Sequence, residues 1–81
     1  MTIQKERFDS IPQLGDVVKI ISVKDKVNDI LISEKGIIID IDMEHEFPYN
    51  IRFTNQSVQR FNESLGELLW KRENFAVLSY D

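Results

Sequence analysis

Hydrophobic positions recur with a period of two over short stretches of this chain, separated by glycine, asparagine and charged clusters. That is the pattern of short strands rather than helices. The clearest stretch runs from Gly36 to Phe47, where Ile37, Ile39, Ile41 and Met43 share one parity and Asp40, Asp42, Glu44 and Glu46 the other. Read as a strand, it buries the first set and displays four carboxylates in a row on the opposite face. Upstream, Leu14-Gly15-Asp16 turns the chain into the β-branched run Val17–Val23. Downstream, Tyr49–Thr54 alternates with Tyr49, Ile51 and Phe53 inward, and Pro48 sits where a hairpin end tolerates a missing N–H. A tight turn at Lys71–Asn74 leads into a last strand, Phe75–Tyr80.

Three segments read less simply. Val58, Phe61, Leu65 and Leu68 lie three and four apart, as on one helical face, but Asn62-Glu63-Ser64 and Gly66 break that face. The preferred reading is a second hairpin, Val58–Phe61 returning through Asn62–Gly66 into Glu67–Trp70; a helix is the alternative. Ile30-Leu31-Ile32 is either a short strand or the apolar anchor of a charged loop. Residues 1–13 carry Phe8 and Ile11 without a sustained period, and Pro12 stops a helix, so they form an N-terminal arm with those two side chains pinned to the core. The expected architecture is all-β: a small barrel of about five strands over residues 14–81.

Eighty-one residues fill one compact domain that buries roughly 60% of its unfolded surface, so a homodimer would be a natural way to bury more. No apolar run approaches the ~20 residues that span a bilayer. The polar start of the chain lacks the apolar middle of a secretory signal, so a cytoplasmic location without membrane insertion is expected. The chain has no cysteine, which removes disulfides, thiolate chemistry and cysteine zinc sites. A net charge of −4 weighs against direct binding to DNA, whose phosphates repel an acidic chain. The charge is also unevenly spread, with Lys19, Lys24, Lys26 and Lys35 around the first long strand and its loop, and only acid from Asp40 to Glu46.

The stretches GDVVKI from Gly15, KGIIIDI from Lys35, YNIRF from Tyr49 and NFAVL from Asn74 resemble the strand framework of SH3-like barrels. That superfamily includes the KOW-type domains of ribosomal and transcription factors, the stromal accessory subunit of photosystem I and the variable chain of ferredoxin–thioredoxin reductase. The resemblance covers residues 15–80 and implies a binding module rather than a reaction. The chain departs from the nucleic-acid-binding and photosystem members in being acidic. In size and charge it also resembles small acidic phage-encoded inhibitors.

Candidate chemistry is sparse. One histidine, His45, stands within the acidic run, and no serine has the context of an activated nucleophile, so no catalytic residue, metal or cofactor is expected. Carboxylates alternating along a strand point outward in a line and do not enclose an ion. The acidic row Asp40, Asp42, Glu44 and Glu46 has three readings. It guards a sheet edge against aggregation, it docks on a basic protein surface, or it mimics nucleic acid. Four alternate carboxylates would span ~20 Å, comparable to the charge line of a DNA strand. The expected function is therefore a non-catalytic module that binds another protein through this row and Trp70, inhibiting a DNA-binding partner such as a sliding clamp, polymerase, nucleoid protein or nuclease. The alternatives are a KOW-like RNA-binding module, using Arg52, Arg60, Lys71 and Arg72 as a basic patch, and an accessory subunit of an electron-transfer complex. Phe75 and Tyr80 are expected in the core, with Trp70 the aromatic residue best placed to be partly exposed.

Overall fold

The computed structural model describes residues 4–66 and 68–80, the side chains of Val27 and Tyr80 excepted. The described strands are β1 (Gln4–Arg7), β2 (Val17–Ile20), β3 (Lys35–Ile41), β4 (Tyr49–Phe53), β5 (Leu69–Trp70) and β6 (Phe75–Tyr80). They make one open antiparallel sheet in the order β1-β6-β2-β3-β4-β5. Among the described residues one α-helix, α1 (Gln56–Ser64), joins β4 to β5, and 3-10 turns occupy Lys26–Leu31 and Arg72–Asn74. The all-β class is thus right in its main feature, with six strands and a helix in place of about five strands.

The sheet is curled. β4 and β6 are three strand spacings apart in the order, roughly 14 Å on a flat sheet. Yet the rings of Tyr49 and Phe75, one on each strand, meet edge to face with centroids 5.1 Å apart. The concave side holds the core: Val18 and Ile20 from β2, Ile38 from β3, Tyr49, Ile51 and Phe53 from β4, and Phe75 from β6. Leu31, at the end of the first 3-10 turn, is wholly buried among them, so the ambiguous Ile30-Leu31-Ile32 segment is a loop anchor and not a strand. The Tyr80 side chain, expected in the core, lies outside the described residues.

Four expectations are corrected. First, β3 faces inward with the other parity up to Ile38, and only beyond the register shift does Ile41 pack on the core as expected. Gly36 and Ile38 point to the core, while Ile37 is 38%, Ile39 49% and Met43 72% exposed. Three consecutive isoleucines leave the parity open, and close packing decides it. A Cβ on Gly36 would stand 2.5 Å from Ile51 Cγ2 and 2.9 Å from the Arg52 carbonyl oxygen, so only glycine lets β3 approach β4 there. A bulge between Ile38 and Asp40 then shifts the register against β4. Second, β3 stops at Ile41, so Asp42, Glu44 and Glu46 lie in the turn that follows and no four-carboxylate row exists on a strand.

Third, residues 56–64 form a helix instead of a hairpin. Asn55 caps it, its side-chain oxygen accepting from the N–H groups of Ser57 (2.9 Å) and Val58 (3.3 Å). Gly66, at φ 84°, supplies the left-handed residue just beyond its end. Val58 and Phe61 pack on the core, and the buried amides of Gln59 and Asn62 tie the helix to its neighbours. Gln59 Oε1 accepts from the Phe53 N–H at 2.8 Å and Asn62 Oδ1 from the Leu68 N–H at 3.1 Å. Glu67, expected to open the returning strand, lies outside the described residues.

Fourth, the N-terminal arm belongs to the sheet, since β1 pairs with β6 from Gln4↔Tyr80 to Arg7↔Val77. Phe8 and Ile11 do not pin it, being 57% and 85% exposed. Arg72 does. Its guanidinium donates to the carbonyl oxygens of Ser10 (3.1 Å), Phe75 (2.7 Å) and Arg7 (3.2 Å) and lies over the Phe75 ring. Lys19 adds an ion pair to Glu6 at 2.6 Å.

Candidate functional site

The turn between β3 and β4 is wound by its own polar groups. Asp42 Oδ1 accepts from the Glu44 N–H at 3.1 Å, the His45 N–H donates to the Asp42 carbonyl at 3.0 Å, and the Asp42 N–H donates to the Pro48 carbonyl at 2.8 Å. His45 Nδ1 accepts from the Phe47 N–H at 2.9 Å, which puts the proton of the neutral ring on Nε2. Asp40, Asp42, Glu44 and Glu46 are all exposed, as is Met43. They form an acidic knob at one end of the β3–β4 hairpin, not a rod along it. Lys71 reaches Glu46 only at 3.9 Å.

His45 and Phe47 of this turn line a groove of about 310 Å³, apolar over most of its surface. Phe47 comes from the acidic turn, Leu69 and Trp70 from the edge strand β5, and Lys24 and Asn28 from the loop after β2. Lys24 and Asp25 both line it, and the Lys24 and Lys71 ammonium groups lie 5.6 and 5.1 Å from the centre of the Phe47 ring. A second cavity of about 340 Å³ adjoins it and shares Val23, Lys24, Phe47 and Asn74. Two groove residues carry buried polar atoms without a hydrogen-bond partner among the described residues, the indole N–H of Trp70 and the side-chain carbonyl of Asn28. Ser10 Oγ shares that property but lines none of these cavities.

No known family, characterised protein or solved structure compared with the chain matches it. The site is therefore read from its own chemistry. Trp70, the aromatic residue best placed in the sequence to be partly exposed, is only 4% exposed, its ring packed edge to face on Phe53 at 6.1 Å. What it offers a partner is one unpaired N–H rather than an aromatic face.

The expected basic patch divides. Arg52 and Arg60 share a broad groove of about 580 Å³ with Ile37 and Ile39, on the outer side of β3 and β4 next to α1. Lys71 lies on Phe47, and Arg72 is spent on backbone carbonyls. The four do not meet because the segment carrying Arg60 is a helix and not a strand beside β4. Among the described residues no group of three His, Asp or Glu side chains is arranged to hold a metal ion, and no helix is long and apolar enough to cross a membrane. Asn28 was missed in the sequence. A lone asparagine in a charged loop carries no periodic signal, and only its buried Oδ1, in the groove that Trp70 also lines, marks it.

Proposed function

We propose that this chain is a non-catalytic cytoplasmic module that works by binding another protein, with the acidic turn Asp40–Glu46 as its electrostatic contact. The observation that carries this reading is the turn itself: with Asp40 at the end of β3 it displays four exposed carboxylates, it is held by internal hydrogen bonds, and its His45 and Phe47 line an apolar groove. Charge at the rim of a contact steers association, and the apolar floor supplies affinity. The partner presents a basic surface. Mimicry of nucleic acid loses its geometric basis, because three of the four carboxylates leave the strand. Inhibition of a DNA-binding protein then rests on charge alone. The curled antiparallel sheet supports the finer reading of the fold as an open relative of SH3-like barrels, a shape that serves as a scaffold for such contacts.

The test compares the wild type with Asp40→Asn/Asp42→Asn/Glu44→Gln/Glu46→Gln in capture from host lysate at low and high salt. The Asp42→Asn change keeps a side-chain oxygen as the acceptor that winds the turn, so thermal stability should stay within ~0.5 kcal/mol. Salt-sensitive capture of one basic protein by the wild type alone is the expected result. Equal capture by both proteins contradicts the reading. A second reading, RNA binding, draws on the meeting of Arg52 and Arg60 in one groove. It predicts RNA affinity that falls when both are replaced by Gln.

A further inference from the structure

We infer that the groove between Phe47, Asn28 and Trp70 receives an extended peptide segment of the partner, with an apolar side chain on its floor and a carboxylate next to Lys24 and Lys71. The inference rests on the protein-binding reading above and names what the groove recognises.

Burying a polar group without a partner is costly, so two such atoms lining one groove are a liability to the free protein. They are also complementary. Trp70 Nε1 can only donate and Asn28 Oδ1 can only accept. A peptide unit carries one acceptor and one donor, so two neighbouring main-chain groups of an extended segment satisfy both. β5, which contributes Leu69 and Trp70, is an edge strand of the sheet, and an extended chain running beside a sheet edge is a common mode of peptide capture. The volume of about 310 Å³ is at the lower end for a ligand site and suits one or two apolar side chains.

The rim selects the flanking residue. Lys24 has no ion pair among the described residues, and Lys71 has only the 3.9 Å contact to Glu46. A carboxylate seated between them gains a charge-assisted contact at little cost. A polyanion is disfavoured there, since Asp25 and Glu73 border the two cavities and the turn that supplies Phe47 to both also carries Asp42, Glu44 and Glu46. Both polar atoms are closed off from water in the free protein, so the rim must yield for a ligand to reach them. Phe47, half-buried, lines both cavities and has ring contacts with Lys24, Lys71 and His45, so its displacement is the movement this inference requires.

The experiment pans a library of displayed random nonapeptides on the immobilised full chain, then measures the selected peptide, synthesised with a fluorescent label, by anisotropy. Selected sequences should pair an apolar residue with a neighbouring Asp or Glu. Trp70→Phe and Asn28→Leu should each weaken binding by about tenfold, the loss of one hydrogen bond. Lys24→Gln should weaken it several-fold at low salt and flatten its salt dependence. Failure of any peptide to enrich, or equal binding by wild type and the two groove variants, overturns the inference. Asn28→Leu carries the test alone if Trp70→Phe does not fold. Displacement of the peptide by a labelled oligouridine that binds tighter also overturns it, in favour of nucleic acid. Lysate capture that depends on the acidic turn but not on Trp70 or Asn28 removes this inference and leaves the protein-binding reading standing. Loss of both dependences removes both.

Discussion

The two grooves on this protein differ in an instructive way. The one lined by Arg52 and Arg60 is the larger, about 580 Å³ against 310 Å³, and carries the more conspicuous charges. Yet its buried polar group is already employed: Gln59 gives its oxygen to the Phe53 N–H and its amide to Glu63 at 3.3 Å. The smaller groove contains Trp70 and Asn28, each with a polar atom left unpaired. Size and charge locate a depression in a surface. Unmet hydrogen-bonding capacity indicates that something else belongs in it.

The sharpest way to break the comparison is to disturb the satisfied groove. Gln59→Leu leaves the Phe53 N–H without its acceptor at the end of β4, and should cost ~2 kcal/mol in chemical denaturation. It should leave peptide binding at the Trp70 groove unchanged once the variant is held well below its unfolding transition. A smaller effect of opposite sign is expected from Asn28→Leu. Removing a buried acceptor that pairs with nothing should raise stability by ~1 kcal/mol while weakening the peptide, so stability and binding move apart. Arg52→Gln/Arg60→Gln should do least, shifting stability by under ~0.5 kcal/mol and leaving protein capture unaffected. A loss of capture with this pair would exchange the roles of the two grooves.

Much of the sheet was legible in the sequence because β4 and β6 alternate or run apolar between strong turn signals. Tyr49, Ile51, Phe53 and Phe75 are buried as their positions imply. β3 was legible as a strand but not in parity or length. Ile37, Ile38 and Ile39 satisfy either face, and the deciding contact of Gly36 with Ile51 is made across strands 15 residues apart in sequence. The acidic ladder failed for a local reason. Asp42 has the side chain to wind a turn on itself, and that chemistry outweighs an alternation which asks a strand to carry four charges past its last pairing partner. The helix is hard to read in the sequence because a single capping residue, Asn55, marks its start, and Gly66, which looks like a breaker within the element, stands just beyond its end. The candidate site was half legible. Trp70 could be singled out as the one tryptophan, but Asn28 comes to line the same groove only through the fold of the loop after β2.

Because the chain has a single tryptophan, its indole N–H gives one unambiguous signal in a nitrogen-15 spectrum. Following that signal as a selected peptide is added tests the central claim, that this buried donor is kept for a partner. The account predicts that the indole signal moves as the donor gains an acceptor, while the side-chain N–H signals of Arg52 and Arg60 stay in place. Movement of the arginine signals with an unchanged indole would contradict it and assign binding to the larger groove.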